Sequence, residues 1–420
     1  MKLFPAHALK GEVWLPADKS VSQRAALFAA LGEGVSTLHG YATAADPQSM
    51  LSCIRQLGIK VVHMPDGAII VHGNGLSGLK KPEAPLDCGN SGTAMRFLAG
   101  VLAGQPFESV LVGDASLSRR PMARVANPLR EMGAQIELTD GHAPIYIKGN
   151  PALRGIRYEM PVASAQVKSC VLLAGLFAEG QTEVVEKVPT RDHTERMLGI
   201  QNNHGVLRVQ GGRPILAQTY HIPRDFSAAA FFMVAASIVP DSELRLPQVG
   251  LNPSRTGLLG VLRQMGADIV LENERETSGE PVADMRIRTA KLRGIALDGA
   301  VIANIIDEIP ILAVAATQAE GITEIRGAEE LRVKETDRIA AMVINLRKLG
   351  AVVEEWPDGM RITGGTKLNG TTVETFLDHR IAMSMGIAAF VADGPTEVLE
   401  AHHAAISFPD FWEQLAHIQK

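Results

Sequence analysis

One pattern recurs six times along the chain, and it limits the possible folds more than any other feature of the sequence. Each copy begins with an apolar run of helical length, continues through a short strand and a loop, and ends with a second helix. Four second helices close with similar segments, IRQLGIKV, LREMGAQI, LRQMGADI and LRKLGAVV. Gly58, Gly133, Gly266 and Gly350 therefore stand where a helix C-cap favours a left-handed residue.

These copies predict an α/β (α+β) fold built from two similar domains. Six units in 420 residues leave roughly 70 residues for each, enough for a βαβ module with additional strands. We expect three units per domain, with the break near YHIPRDFS, where Pro223 and a charged pair interrupt the pattern. A second passage of the chain between the domains, near LPADKS, would place the N-terminal strand in the domain formed by the second half of the chain. The expected domains are residues 18–224, and residues 1–17 together with 225–420.

Composition excludes several classes of protein. The chain is 46% hydrophobic and 21% charged, as expected for a globular protein. No apolar run reaches the roughly 18 to 20 residues that span a bilayer, and the first twenty residues resemble neither a signal peptide nor a transit peptide. We therefore expect a cytoplasmic protein without membrane contact. A net charge of -5 argues against a nucleic-acid partner.

The three cysteines predict neither a disulfide framework nor a metal site. Cys53, Cys88 and Cys170 lack the spacing of metal ligands and cannot all pair with one another. We expect them to be buried as small hydrophobic residues.

Polar residues cluster where the apolar helices begin, and free N–H groups at such positions attract anions. The clusters are Lys19, Ser20 and Arg24; Asn90, Gly92, Thr93 and Arg96; Ser164, Gln166 and Lys168; Asp225 and Ser227; Asp307 and Glu308; and His379 and Arg380. An alternative interpretation is that the Ser, Asp and Asn residues are only N-caps. A cap does not require Lys19, Arg24 or Arg380, so we expect several helix ends from both domains to face one anion-binding cleft.

A second set of basic residues begins the second helices: Arg119 and Arg120, Arg191, and Lys334 with Arg338. The last two lie in the stretch RVKETDR, which could be a solvated helix face with paired charges. An exposed first turn favours acids, however, and two cations four residues apart suit a bound anion better. Arginine forks match phosphate and carboxylate oxygens. Small polyanionic substrates are therefore expected, and neither a Walker nor a Rossmann motif points to a nucleotide.

Seven segments resemble, in order and over nearly the whole chain, those of the 5-enolpyruvylshikimate-3-phosphate synthase family: LPADKSVSQR, GNSGTAMR, GDASLSRRPM, ASAQVKS, DEIP, RVKETDR and DHRIAM. The resemblance implies two domains, each an inverse pseudo-threefold barrel of three βαβαββ units. It implies transfer of the enolpyruvyl group of phosphoenolpyruvate to the 5-hydroxyl of shikimate 3-phosphate, a step of chorismate and aromatic amino acid biosynthesis. A monomer that acts on these small molecules without cofactor or metal is expected.

The resemblance also implies roles for individual residues. Contacts to shikimate 3-phosphate are implied for Lys19, Ser20, Arg24, Ser164, Ala165, Gln166, Arg191, Asp307 and Lys334. Contacts to phosphoenolpyruvate are implied for Lys19, Gly92, Arg120, Gln166, Arg338, His379 and Arg380. The implied proton-transfer groups are Asp307, Glu335 and Lys19.

Some positions depart from the family pattern. Ile406 stands where many members have a lysine, Ala165 where many have serine, and Phe97 where many have proline. The segments ASAQVKS and TRDHTE resemble a subclass that is often less sensitive to the herbicide glyphosate. Because Gly92 lacks the methyl group associated with tolerance, we expect partial sensitivity.

The sequence argues against two alternative functions. The sister enolpyruvyl transferase that acts on UDP-N-acetylglucosamine typically uses a cysteine in the loop that reads GDASLSRRP here, and this loop has none. A non-catalytic anion-binding module would be expected to lack the proton-transfer carboxyls Asp307 and Glu335, and both are present. His402 and His403 have no further ligand at metal spacing and are expected at the surface.

Overall fold

The computed structural model describes residues 1–419, which form two compact units. Unit 1 comprises Met1–Pro16, Arg224–Glu276 and the described part of Pro281–Lys420. Unit 2 comprises Ala17–Pro223 and the short segment Thr277–Glu280. The chain therefore passes between the units four times.

The described residues contain thirteen α-helices and three short 3-10 helices. The α-helices are α1 (Lys19–Leu31), α2 (Ala45–Gln56), α3 (Gly92–Ala103), α4 (Ala123–Glu131), α5 (Ala165–Gly175), α6 (His193–Leu198), α7 (Phe226–Ile238), α8 (Gly257–Gln264), α9 (Ala300–Ile305), α10 (Ile309–Gln318), α11 (Arg338–Lys348), α12 (His379–Phe390) and α13 (Phe411–Ile418). The 3-10 helices are Leu117–Arg119, Glu329–Val333 and Ala401–Ile406.

Twenty-six strands are present in the same part of the chain. They are β1 (Lys2–Leu3), β2 (Lys10–Glu12), β3 (Gly32–His39), β4 (Lys60–His63), β5 (Ile69–Asn74), β6 (Leu86–Asp87), β7 (Glu108–Val112), β8 (Gln135–Thr139), β9 (His142–Lys148), β10 (Arg157–Glu159), β11 (Gln181–Val185), β12 (Asn202–Asn203), β13 (Val206–Gln210), β14 (Ile215–Leu216), β15 (Thr219–His221), β16 (Glu243–Gly250), β17 (Asp268–Thr277), β18 (Glu280–Arg288), β19 (Ala296–Leu297), β20 (Ile322–Ile325), β21 (Val352–Trp356), β22 (Gly359–Thr363), β23 (Leu368–Asn369), β24 (Thr372–Val373), β25 (Ala392–Asp393) and β26 (Thr396–Val398).

The strands of unit 2 repeat one arrangement three times. The orders are β14-β3-β5-β4, β6-β7-β9-β8 and β10-β11-β13-β12, and β15 also pairs with β3. In each four-strand order the first pair is parallel and the others are antiparallel, and the additional pair β15–β3 is parallel. Strand β14, the edge strand of the first sheet, follows the third repeat in the sequence. The sheet of the first repeat is therefore completed by a strand from the other end of unit 2.

Unit 1 follows a related plan. Two of its sheets have the orders β2-β16-β18-β17 and β19-β20-β22-β21, and the third repeat forms the smaller sheets β1-β26-β24 and β23-β25. Strand β2, from the N-terminal part of the chain, pairs in parallel with β16, with Lys10 opposite Glu243. The alternation of helices and strands confirms the predicted α/β class.

Two kinds of helix explain where the cores lie. Helices α1, α3 and α5 of unit 2, and α7, α10 and α12 of unit 1, are buried along nearly their whole length. Most of their residues are apolar, as expected of helices inside a core. The second helices of the repeats, such as α2, α8 and α11, bury only one face. The buried first helices carry the polar residues of interest at their N-termini.

The glycines predicted to end helices have the expected conformation. The φ angles of Gly58, Gly133, Gly266 and Gly350 are 85°, 99°, 101° and 93°, which confirms the prediction. Gly100 has a different role, because a Cβ there would lie only 2.4 Å from the carbonyl oxygen of Cys170. Its lack of a side chain allows α3 and α5 to pack closely.

The prediction that the cysteines are buried is also confirmed. Cys53, Cys88 and Cys170 are free thiols and are completely buried. Among the described helices, none is both long enough and apolar enough to cross a membrane.

Candidate functional site

Lys19 stands at the first position of α1, as the sequence suggested, but it already has an anionic partner. Its Nζ donates to Asp46 Oδ2 at 2.9 Å. Asp18 is the N-cap, and its Oδ1 accepts from Val21 N at 2.8 Å. The lysine is half-buried, so its charge lies in a partly desolvated environment beside one carboxylate.

Arg24 is buried one turn further along α1 and is held on several sides. Its guanidinium donates from Nε to Thr194 Oγ1 at 2.8 Å and from Nη1 to the Ser20 carbonyl at 3.0 Å. A longer bond of 3.4 Å joins Nη2 to Ser169 Oγ. The guanidinium carbon lies 4.7 Å from the centre of the Phe97 ring, within the range of a cation–π contact. Burial lowers the pKa of Arg24 to about 10, so a bound anion would stabilise its charged form.

Gly92 opens α3 directly beneath two arginines. Ser91 caps the helix through a bond from Ala94 N, and Arg120 Nη2 donates to Asn90 Oδ1 at 2.9 Å. A Cβ at Gly92 would lie 2.9 Å from Arg96 Nη1 and 3.2 Å from Arg120 Nη1. The absence of a side chain thus leaves room for both guanidinium groups beside the helix N-terminus.

The third helix of unit 2 adds an amide to these arginines. Gln166 Oε1 accepts a short hydrogen bond from Arg96 Nη1, and Gln166 Nε2 donates to Thr93 Oγ1 at 2.9 Å. Ser164 caps α5, which begins at Ala165. The structure therefore joins the helix starts of the second and third repeats through side chains named from the sequence.

Lys168 does not belong to this group, although the sequence placed it with the anion-binding residues. Its side chain is completely buried and pairs with Glu186 Oε2 at 2.9 Å and Glu195 Oε1 at 2.6 Å. A lysine enclosed in this way cannot meet a bound anion. Arg191, in the segment between the two glutamates, is half-buried.

In unit 1, Arg338 is surrounded by carboxylates. Its Nε donates to Asp378 Oδ2 at 2.8 Å, and its Nη2 donates to Glu335 Oε2 at 2.7 Å. Asp307 Oδ1 accepts from Nη1 at 3.3 Å. Burial opposes the charge of Arg338, but these three acids outweigh it and raise its pKa. The arginine is therefore a permanent cation that orients the carboxyl groups of Asp307 and Glu335.

The stretch RVKETDR is not the helical face that the sequence suggested. Helix α11 begins only at Arg338, because Asp337 is its N-cap and accepts from Ala340 N at 3.0 Å. Lys334 instead follows the 3-10 helix Glu329–Val333. Burial lowers the pKa of Lys334, with Asp307 acting in the opposite direction.

Arg380 links Asp307 to a second buried group. Its Nη1 donates to the Asp307 carbonyl at 2.9 Å and lies 3.6 Å from Glu308 Oε1. That glutamate oxygen accepts a short hydrogen bond from Ser227 Oγ, and Arg255 Nη2 donates to the same hydroxyl at 2.9 Å. A continuous polar network thus extends through the interior of unit 1 to Asp307.

The remaining histidines differ in position. His379 is the first residue of α12 and is buried, whereas His402 is exposed, as predicted. His403 is half-buried, and burial lowers its pKa, with a smaller effect from the neighbouring His402. Ile406, which stands at the position of the family lysine, ends the 3-10 helix Ala401–Ile406.

Several partners were missed from the sequence. Asp46 pairs with Lys19, which lies 27 residues away along the chain, and Asp378 pairs with Arg338, which lies 40 residues away. Asp378 did have a signal, since it directly precedes His379 and Arg380 in DHRIAM. Its cap and ion-pair roles were still not recognised.

Comparisons with known proteins show the family to which the chain belongs. A family model described as EPSP synthase (3-phosphoshikimate 1-carboxyvinyltransferase) matches residues 4–415. A relative from Salinibacter ruber named 3-phosphoshikimate 1-carboxyvinyltransferase is 55% identical over 424 residues, covering 98% of each chain. The chain belongs to the EPSP synthase family.

Solved structures support the same fold. EPSP synthase from Acinetobacter baumannii superimposes with a TM-score of 0.89 at 43% identity, covering 100% of this chain and 98% of that one. The enolpyruvyl transferase NikO from Streptomyces tendae reaches a TM-score of 0.79 at 17% identity, which is a likeness of fold alone. The family and the two-domain fold class predicted from the sequence are confirmed.

Proposed function

We propose that this chain transfers the enolpyruvyl group of phosphoenolpyruvate to the 5-hydroxyl of shikimate 3-phosphate. The products are 5-enolpyruvylshikimate 3-phosphate and inorganic phosphate. Membership of the EPSP synthase family supports this reaction. The structural observation that carries it is the pairing of Arg338 with both Glu335, at 2.7 Å, and Asp307, at 3.3 Å.

This pairing suits the proton transfers of an addition–elimination. The 5-hydroxyl must lose a proton as it attacks C2 of phosphoenolpyruvate, while C3 must gain one; the adduct then expels phosphate. Asp307 is the proposed base, Glu335 the proposed acid, and Lys19 a further proton-transfer group. Because one guanidinium fixes both carboxyl groups, they are oriented before the reaction begins, as acid–base catalysis requires.

A first set of residues is proposed to contact the phosphate and ring of the acceptor, shikimate 3-phosphate. The proposed contacts are Lys19, Ser20, Arg24, Ser164, Ala165, Gln166, Arg191, Asp307 and Lys334. Among residues 1–419, no carboxylate lies within salt-bridge distance of the buried guanidinium of Arg24, and burial lowers its pKa to about 10. A phosphate dianion would place a counter-charge directly against the guanidinium.

A second set of contacts is proposed for phosphoenolpyruvate. They are Lys19, Gly92, Arg120, Gln166, Arg338, His379 and Arg380. The space over Gly92, bounded by Arg96 and Arg120, would fit a small anion at the N-terminus of α3. We also propose that the family's two domains comprise residues 18–224, and residues 1–17 together with 225–420, and that the protein is a cytoplasmic monomer.

Phosphorus NMR tests the reaction directly. A mixture of the protein, phosphoenolpyruvate and shikimate 3-phosphate should lose both substrate signals and gain those of phosphate and the enolpyruvyl product in equal amounts. Asp307→Asn should lose most of this conversion. Phosphate formation without the enolpyruvyl product would contradict the proposal.

A further inference from the structure

A buried ionic cluster in unit 2 consists of Lys168, Glu186 and Glu195. Besides its two carboxylate contacts, Lys168 Nζ donates to the carbonyl of Thr190 at 3.3 Å. The lysine side chain is 0% exposed and those of the glutamates are 3% and 4% exposed. Burial raises the pKa of Glu195, although Lys168 acts in the opposite direction.

Stability alone does not explain such a cluster. Removing charges from water costs several kcal/mol per ion. A protein with well-packed apolar residues in place of a buried ion pair is often at least as stable. Buried ion pairs are better at selecting one geometry than at adding stability in some proteins. The relevant question is which geometry Lys168 selects.

The cluster closes the segment of residues 186–195 onto helix α5. Glu186 Oε2, which contacts Lys168, also accepts from Thr190 N at 3.2 Å and from Thr190 Oγ1 at 3.0 Å. Glu195 holds the other end of the segment through the same ammonium group. Arg191 lies between these two anchors, immediately after Thr190.

The same segment also holds Arg24. Thr194, next to Glu195, accepts from Arg24 Nε at 2.8 Å and shares a 2.7 Å hydrogen bond with Ser169. Ser169 follows Lys168 directly on α5. Thus both arginines proposed to bind shikimate 3-phosphate from this region, Arg24 and Arg191, depend on the placement of one segment.

We propose that Lys168 is a positioning residue for the acceptor substrate: by fixing residues 186–195 it aligns Arg24 and Arg191 with the phosphate of shikimate 3-phosphate. It sets the affinity for that substrate without touching it. This inference rests on the function proposed above.

The test compares three lysine substitutions in the full-length protein. Lys168→Met removes the ammonium group, Lys168→Arg keeps a cation, and Lys148→Met removes an exposed lysine of β9 as a matched control. Calorimetric titration gives the Kd for shikimate 3-phosphate, and steady-state kinetics give KM for each substrate. We expect Lys168→Met to raise the Kd and KM for shikimate 3-phosphate by about tenfold to a hundredfold. The KM for phosphoenolpyruvate should change far less, Lys168→Arg should restore part of the loss, and Lys148→Met should match the wild type.

Thr194→Val keeps the test decisive if Lys168→Met does not fold. It leaves the ionic cluster intact and removes only the hydroxyl that holds Arg24, so it should show the same selective loss. Equal changes in both KM values, or a lower Tm with unchanged binding, would overturn the inference while leaving the proposed function in place. A wild-type protein that does not bind shikimate 3-phosphate would overturn both.

Discussion

Arg338 and Asp378 form an ion pair inside unit 1, with Nε 2.8 Å from Oδ2 and side chains that are 1% and 0% exposed. The same aspartate accepts from Arg380 N at 2.7 Å and caps α12. One carboxylate thus binds the side chain of Arg338 and the backbone of Arg380, the two arginines of unit 1 assigned to phosphoenolpyruvate. Its loss should affect both stability and catalysis.

Asp378→Asn keeps the shape of the side chain and removes its charge. Because Arg338 would lose its most buried partner, we expect the free energy of unfolding to fall by about 3 to 5 kcal/mol. Urea denaturation measures the change. Asp393→Asn is the matched control, since Asp393 pairs with Lys367 at 2.7 Å but both side chains are exposed. It should unfold like the wild type, and equal effects of the two substitutions would contradict the importance of burial.

Glu335→Gln tests the proposed acid. The amide can still accept from Arg338 but cannot supply a proton, so kcat should fall by about 10² to 10⁴ while the fold persists. The pH profile of kcat should lose one limb relative to the wild type. A variant that keeps that limb would rule out Glu335 as the proton donor.

The lowered pKa of Lys334 leads to a prediction about activity at alkaline pH. Burial lowers its pKa, and Asp307 only partly offsets this, so the ammonium loses its proton below the usual lysine range. The cation is present below that pKa and is lost as the pH rises through it. We therefore expect kcat/KM to decline on the alkaline side, and Lys334→Arg to move the decline to higher pH. An unmoved alkaline limb would show that another group causes it.

Gly92→Ala tests the space beside α3. The new methyl group would lie 2.9 Å from Arg96 Nη1, so the flexible ends of the arginines must move while the backbone stays in place. The KM for phosphoenolpyruvate and the inhibition constant for glyphosate, measured against phosphoenolpyruvate, should both rise.

Gly260→Ala is a suitable control for that substitution. Gly260 lies within α8, where a Cβ meets no atom within 4 Å. The kinetics should be unchanged, and stability should rise by up to about 1 kcal/mol through helix propensity. If Gly92→Ala left glyphosate inhibition unchanged as well, the steric argument would be wrong.

Local sequence signals predicted much of the fold. The left-handed glycines that end α2, α4, α8 and α11 follow from chemistry within one turn of each helix. The apolar runs likewise predicted the six buried first helices. These features depend on neighbours in the chain, so a single sequence contains enough information to find them.

The pairing of charges could not be predicted in the same way. Lys168 was grouped with the anion-binding residues because it follows Gln166, yet the fold encloses it between two glutamates 18 and 27 positions further along. Lys334 was placed at the start of a second helix, four residues before Arg338, whereas that helix begins only at Arg338 because Asp337 is its N-cap. Which carboxylate meets which cation depends on tertiary contacts, and the sequence pattern does not encode these.

Phosphate release from phosphoenolpyruvate, measured with alternative acceptors, tests the central claim most directly. The purified protein should release phosphate when shikimate 3-phosphate is present, and should release none with UDP-N-acetylglucosamine or without an acceptor. Release only with the nucleotide sugar, or with neither acceptor, would contradict the assignment of this chain to enolpyruvyl transfer onto shikimate 3-phosphate.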